Sequence, residues 1–190
     1  MSTPSPVSGF ILAGGQSVRL GRDKATLDWH GRPLLDHMVE LLSGVCDSVQ
    51  IVGRGNLPDL TPGLGPIGGI LTALASSTTD VNLIVAVDLP LLTSSFLKYL
   101  KGRSESSSRD LVVCKIASGF PLCWGVRRNL RPGIDAYIAS GQRSLHGLIK
   151  TTNGDVIRIP QLQKAGFSES IFANINTELD YRMALESGKP

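Results

Sequence analysis

The stretch Leu83–Pro90, with the sequence LIVAVDLP, says most about the fold. Its first five residues are all apolar, which is typical of a parallel strand covered by helices on both faces. Pro90 cannot donate a hydrogen bond to a sheet ladder, so the strand must end near Asp88. The sequence therefore predicts a buried strand over 83–87 with an aspartate at its carboxyl end.

Strand and helix patterns alternate on both sides of this strand. The further predicted strands cover 7–13, 49–52, 111–116, 121–126, 156–159 and 171–173. The predicted helices cover about 32–42, 67–75, 93–101, 130–139, 144–149 and 177–186, and loops cover 53–66 and 103–109. Alternation of this kind predicts βαβ units. We expect an α/β, three-layer Rossmann-like fold with a mostly parallel central sheet.

Composition places the chain among folded single-domain proteins. Its 190 residues suit one domain, 1–190, and a hydrophobic fraction of 42% is enough for a core. The net charge of +3 is too small to suggest a DNA-binding protein. Three cysteines, none in a Cys-x-x-Cys pair, are expected to be buried thiols in a reducing compartment. We expect a cytoplasmic protein with no nucleic-acid partner and no membrane association.

The loop after the first predicted strand carries the clearest functional signal. It reads LAGGQSVRLGRDK over Leu12–Lys24. Glycines let backbone N–H groups approach an anion closely, and Arg19, Arg22 and Lys24 add positive charge. The spacing is that of neither a P-loop nor a dinucleotide-binding fingerprint. The pattern indicates a phosphate-binding loop, with a glycine-rich surface turn as the alternative.

Ligands of parallel sheets bind at the carboxyl ends of the strands. The pair Gly14-Gly15 and Asp88 both follow predicted strands, so we expect them at one rim of the sheet. Mg²⁺ in proteins commonly takes one or two carboxylates together with substrate phosphates. Asp88 is therefore the candidate metal ligand, and capping of the next helix is the alternative role for its side chain.

The 12–24 loop resembles the signature loop of nucleotidyltransferases, specifically that of the molybdenum cofactor guanylyltransferase family. Relatives with other substrates more often carry Ala-Ala-Gly after the leucine, and the Asp23-Lys24 ending also favours the guanylyl branch. Further matching segments follow in the family's order: GRPLL at 31–35, GPIGGI at 65–70, AVDLP at 86–90, PL at 121–122, GQRSL at 141–145 and NINT at 174–177. The resemblance covers nearly the whole chain.

The resemblance implies transfer of GMP from GTP to molybdopterin or the molybdenum cofactor, with Mg²⁺ as cofactor and pyrophosphate as second product. It implies a nucleotide-binding part over about 7–100 and an acceptor-binding part over about 110–186. The implied catalytic residues are Lys24, Arg19 and Asp88. The implied nucleotide-binding residues are Leu12, Ala13, Gly14, Gly15, Lys24, Asp59 and Asp88, with Asp88 also the metal ligand.

Asp59 is implied to read guanine, because a carboxylate can accept from N1–H and N2–H₂ together; a plain loop aspartate is the alternative. The implied acceptor-binding residues are Arg143, Asn174 and Asn176. Alternation along a strand would point both asparagines to one side. Backbone capping by the asparagines and a solvated surface arginine are the alternatives here. Molybdenum-insertion and cofactor-delivery proteins are further candidate partners, and we expect a monomer or weak oligomer.

The chain departs from the family at one place. Relatives often carry an asparagine just after the second strand, where this chain has Gly53, with Asn56 a few residues later. Two rival functions therefore stay open. One is a sister transferase that uses CTP or a sugar-phosphate-type acceptor, and the other is a non-catalytic nucleotide-binding adaptor.

Overall fold

The computed structural model describes residues 5–14, 20–55 and 57–188. They form six strands and seven α-helices. The strands are β1 (Val7–Leu12), β2 (Ser48–Val52), β3 (Val81–Ala86), β4 (Leu111–Lys115), β5 (Cys123–Arg127) and β6 (Asp155–Arg158). The helices are α1 (Leu34–Ser43), α2 (Pro66–Ser76), α3 (Ser94–Ser106), α4 (Arg131–Ala139), α5 (Leu145–Thr151), α6 (Ile159–Lys164) and α7 (Glu178–Ser187).

One sheet contains all six strands, in the order β2-β1-β3-β5-β4-β6. The strand β1 lies parallel to both β2 and β3, and β4 lies parallel to β6. Only β5 among these strands runs the other way, since it is antiparallel to both β3 and β4. Five strands therefore point their carboxyl ends to the same rim, which confirms the expected mostly parallel sheet.

Buried residues form a core on each face of the sheet. One core includes Met38 of α1 and Leu97 of α3, and the other includes Ile70 of α2, Ile134 of α4 and Leu148 of α5. This is the expected helix–sheet–helix layering. Cys46, Cys114 and Cys123 are buried free thiols, and burial raises the pKa of both Cys46 and Cys114 to about 12. Nowhere in the described ranges is there a helix long and apolar enough to cross a membrane.

The prediction of a loop over 103–109 is wrong for 103–106, because α3 continues to Ser106, and only 107–109 lie outside the helix. Thr93 caps the helix as expected, accepting from the Phe96 N–H at 3.2 Å. The serines at its end look solvated in the sequence, yet Ser104 is buried and its hydroxyl donates to the Leu100 carbonyl at 2.7 Å. Serine hydroxyls can bond the carbonyl one turn back in this way, so serine content alone did not mark the helix end.

The strand predicted over 171–173 is also wrong. Glu169–Phe172 forms a 3₁₀ helix, and the Ser168 hydroxyl accepts from the Ser170 N–H at its start. Phe172 packs edge-on against Phe96, with ring centroids 4.9 Å apart. A short apolar run is compatible with either structure, and here packing decided it. The sequence also missed α6, which begins directly after β6 with Pro160 in its first turn.

The contact between Gly125 of β5 and Ser104 of α3 predicts a stability difference. A Cβ at Gly125 would lie 1.7 Å from the Ser104 Oγ, so we expect Gly125→Ala to lower the free energy of unfolding by about 1–3 kcal/mol. The matched control is Gly102→Ala in α3, where a Cβ meets nothing within 4 Å and alanine favours the helix by about 0.5–1 kcal/mol. Urea unfolding of both variants checks this, and equal stabilities would contradict the packing.

Candidate active site

A cavity of about 780 Å³ opens at the carboxyl ends of β1, β2 and β3. Its walls include Leu12 at the end of β1, Ala13 and Gly14 directly after it, and Asp88 after β3. Hydrogen bonds fix the end of β1 to both neighbours, from the Ala13 N–H to the Val52 carbonyl and from the Val87 N–H to the Leu12 carbonyl. The strand ends that the sequence predicted to meet therefore do so around one concave site.

Lys24 reaches into this cavity and joins two other predicted residues. Its Nζ donates to Asp88 Oδ2 at 2.7 Å and to Asn176 Oδ1 at 2.9 Å. The Lys24 and Asp88 side chains are only 17% and 21% exposed. Partial shielding from water makes such an ion pair stronger than one on the open surface. The three groups come from distant parts of the chain and form one polar cluster.

Asp23 and Arg54 set the position of Lys24. The Asp23 carboxylate accepts from the Ala25 N–H at 3.0 Å and so caps the 3₁₀ helix Lys24–Thr26. The Arg54 guanidinium donates to this carboxylate and, through Nε, to the Ala13 carbonyl at 2.6 Å. Hydrogen bonding from Arg54 is the largest cause that holds the pKa of Asp23 below its ordinary value. Asp23 is therefore fixed in place, and it fixes the start of the 3₁₀ helix whose first residue is Lys24.

Sequence reasoning missed Arg54. The sequence did contain a signal for it: Arg54 is a basic residue two positions after β2, at the rim of the sheet where the ligand was expected. It lines the cavity and bonds both the β1 end and the Lys24 turn. Its contacts could not be read from the sequence because Asp23 lies 31 residues away.

The C-terminal segment positions Asn176 through its backbone. The Asp180 carboxylate accepts from the N–H groups of Asn176 and Thr177 at 3.0 and 2.8 Å, and Thr177 Oγ1 accepts from the Asp180 N–H. This is the capping box that the sequence indicates for α7. The Ile175 N–H donates to the Asp88 carbonyl at 2.9 Å. Asn176 is thus held next to Asp88 from both sides.

Two glycines meet at the position where the chain departs from the family that it resembles. Gly53 has a φ of +84°, and a Cβ there would lie 2.5 Å from Gly14 Cα. The carboxylate of Asp59 lies beside them, with Oδ2 3.4 Å from the position that a Gly14 Cβ would take. A larger residue at position 53 would push this loop off the end of β1. Where the resembled family often has an asparagine, this chain has Gly53. The positive φ and the close approach to Gly14 favour a glycine at this position.

The structure brings together only part of the predicted site. Leu12, Ala13, Gly14, Lys24, Asp59, Asp88 and Asn176 all line the cavity. Arg143 and Asn174 are exposed and do not line it. The sequence predicted that Asn174 and Asn176 would point to the same side of a strand. The strand predicted over 171–173 is absent, and only Asn176 lines the cavity. Arg19, Gly15 and Asn56 lie outside the described residues.

The oxygens around Lys24 have the chemistry of a cation site. Asp88 Oδ2 and Asn176 Oδ1 already hold one cation, the ammonium, between them. Within the described ranges no three His, Cys, Asp or Glu side chains cluster as a self-sufficient metal centre. A single carboxylate with an amide oxygen suits Mg²⁺, which keeps several waters and takes substrate phosphates as further ligands.

Comparisons with known proteins identify relatives of this chain. Residues 9–156 match the family model of the MobA-like NTP transferase domain. A molybdenum cofactor guanylyltransferase of Xanthomonas euvesicatoria is 32% identical, over 88% of this chain and 90% of the relative. A probable enzyme of the same name from Mycobacterium bovis is 31% identical, over 81% and 83%. The crystal structure of molybdopterin-guanine dinucleotide biosynthesis protein A from Archaeoglobus fulgidus superposes with a TM-score of 0.78 at 23% identity, covering 95% of this chain and 97% of that one.

The Gly14–Gly53 contact predicts that position 53 tolerates alanine poorly. We expect Gly53→Ala to lower the free energy of unfolding by about 1–3 kcal/mol more than Gly63→Ala does. The control is closely matched, since Gly63 has a φ of +83° but a Cβ there meets nothing within 4 Å. Chemical denaturation of the two variants isolates the contact from the backbone strain. Equal losses would mean that the two loops are not in contact in solution.

Proposed function

The chain belongs to the MobA-like NTP transferase family, and on that basis we propose that it transfers GMP from GTP to molybdopterin or its molybdenum-carrying form. The observation that carries the proposal is the cluster of Lys24, Asp88 and Asn176 in a cavity at the strand ends. Relatives named molybdenum cofactor guanylyltransferase, 31–32% identical over more than four fifths of the chain, support the choice of substrates.

The reaction balances without a proton transfer by the protein. An oxygen of the acceptor's phosphate monoester attacks the α-phosphorus of GTP and forms a new P–O bond. The bond between the α-phosphorus and the oxygen that bridges to the β-phosphorus breaks, and pyrophosphate leaves. The acceptor phosphate is already mostly dianionic at pH 7, since its second pKa is about 6. The main barrier is therefore repulsion between two anions rather than the lack of a general base.

The chain's own residues reduce that repulsion by position and charge. Lys24 would supply an ammonium from the cavity wall, and its charge would offset part of the negative charge of the triphosphate. Arg19 lies in the same loop sequence and is proposed as a second countercharge. Gly14 and Gly15 would present backbone N–H groups to the phosphates, and Leu12 and Ala13 would contact the nucleoside.

We propose Mg²⁺ as the cofactor. Asp88 would hold it, with Asn176 as the neighbouring oxygen ligand, because these two oxygens already accept from a cation. When bound, Mg²⁺ supplies charge neutralisation at the triphosphate. Lys24 then has to move from Asp88 towards the phosphates, for which its long, flexible side chain is suited.

Asp59 is the proposed guanine reader. Its carboxylate lies at the cavity wall beside Gly14, and it can accept from N1–H and N2–H₂ of guanine together. Adenine has no matching pair of donors at these positions. Because Gly53 replaces the asparagine that relatives often carry there, backbone groups of this loop would have to supply the remaining base contacts.

The proposal extends to the organisation of the chain. Residues of about 7–100 would bind the nucleotide and residues of about 110–186 the acceptor, within one domain. Arg143 and Asn174, exposed in the structure, would contact the acceptor on the open side of the cavity. Molybdenum-insertion and cofactor-delivery proteins are the proposed partners, and the cytoplasm is the proposed location.

A direct assay tests the function. The purified chain with Mg²⁺, GTP and molybdopterin is expected to release pyrophosphate and form the guanine dinucleotide, with CTP and ATP much poorer. Asp88→Asn should reduce turnover by about 10²–10³-fold, because the variant lacks the carboxylate proposed to hold Mg²⁺ at the phosphates. Asp135→Asn, on the exposed surface of α4, is the control and should behave as wild type. Turnover with CTP rather than GTP would overturn the guanylyl assignment, and an unaffected Asp88 variant would overturn the metal role.

The Asp59 assignment has its own test. Inosine triphosphate lacks the N2 amino group, so wild type should bind it more weakly than GTP. We expect Asp59→Asn to weaken GTP binding by about 10–100-fold and to narrow the difference between the two nucleotides. Calorimetric titration of both proteins with both nucleotides measures this. An undiminished preference for GTP in the variant would place guanine recognition elsewhere.

A further inference from the structure

A second basic feature lies at the same rim as the Lys24 cluster, further along the sheet. Lys115 is the last residue of β4. Because β5 is antiparallel to both neighbours, β4 and β3 point the same way, and Lys115 lies at the rim that carries Asp88. Two strand spacings, about 10 Å, separate β3 from β4.

The loop that follows β4 leads towards the cavity. Leu122 lines the cavity wall, and its carbonyl accepts from the Ala86 N–H of β3 at 2.8 Å. Phe120 lies two residues earlier and packs with Leu122 and Leu12 on the same core. Lys115 lies on the same sheet face as Val113, which belongs to that core. The Lys115 side chain is therefore on the face of the sheet where the cavity opens.

Aromatic contacts hold the Lys115 ammonium in place. Its Nζ lies 4.8 Å from the centre of the Phe120 ring, within the range of a cation–π interaction. The exposed His146 ring meets Phe120 edge-on at 5.6 Å. Phe120 lies three residues before β5, which separates β4 from β3 in the sheet.

The Lys115 side chain is half-buried. Among the described residues no carboxylate lies within ion-pair distance of it. The carboxylate of Glu169 does reach this loop, but it accepts from the Ala117 N–H at 2.8 Å. By contrast, Lys24 and Lys101 both have a carboxylate within 4.0 Å. A partly desolvated cation without a partner favours an anionic ligand.

We propose that Lys115, held over Phe120, binds the phosphate monoester of the acceptor substrate beside the nucleotide cavity. This inference rests on the proposed function, because it assigns the second substrate's position. Lys115 would bring the attacking phosphate towards the cavity and offset part of its charge before it meets the triphosphate. Arg143 lies three residues before His146 and would supply a second cation at the open side.

The test compares Lys115→Met with Lys115→Arg and with the control Lys98→Met, an exposed residue of α3. The KM for molybdopterin should rise by about 10–100-fold in Lys115→Met, while the KM for GTP stays within about twofold. The arginine variant should retain most of the acceptor affinity, and Lys98→Met all of it. Phe120→Leu should give a smaller rise in the same KM, because the ammonium remains but is no longer held.

Direct binding separates this inference from the proposed function. The probe is molybdopterin itself, titrated by its pterin fluorescence into wild type and Lys115→Met without nucleotide. If wild type binds molybdopterin and Lys115→Met does not, the inference is supported. If wild type binds molybdopterin but shows no turnover, only the proposed function fails. Normal turnover with an unchanged acceptor KM in Lys115→Met overturns the inference alone. Absence of both binding and turnover in wild type overturns both.

Discussion

The ammonium of Lys24 lies between one carboxylate oxygen and one amide oxygen, and this contact joins three distant parts of the chain. Asp88 follows the central strand β3, and Asn176 precedes the last helix. Buried strands alone would bring Asp88 to the rim, but nothing in the sheet would bring the other two there. The contacts of Lys24 with Asp88 and Asn176, in a partly desolvated cavity, add these two side chains to the polar group at the end of β3.

Several contacts keep the Lys24 segment in place on both sides. Towards the sheet, Arg54 bonds Asp23 and the Ala13 carbonyl. Towards α7, Arg22 pairs with Glu178 at 2.5 Å, and the Tyr181 hydroxyl donates to the Asp28 carbonyl. The described part of this segment, residues 20–33, is thus attached to the sheet side by Arg54 and to α7 by Glu178 and Tyr181.

Much of this could be predicted from the sequence, for identifiable reasons. The apolar run 83–87, ended by Pro90, predicted the buried strand β3, and the helix pattern over 177–186 predicted α7. What failed were segments whose structure depends on tertiary contacts: Ser104 is buried against Gly125, and Phe172 packs on Phe96. At the cavity, the structure brings together Asp88, Lys24 and Asn176, which the sequence had singled out as candidates. Arg54 was missed because its partners, Asp23 and Ala13, are 31 and 41 residues away in the sequence. The role of Gly53 depends on its backbone contact with Gly14, which no local sequence pattern reveals.

The order of these groups along the chain has a consequence for synthesis of the protein. Asn176 follows Lys24 by 152 residues, and all six strands of the sheet precede it. The ribosome therefore synthesises all six strands of the sheet before it adds Asn176. Until residue 176 has been added, the chain contains Lys24 and Asp88 but not the amide that completes the cluster.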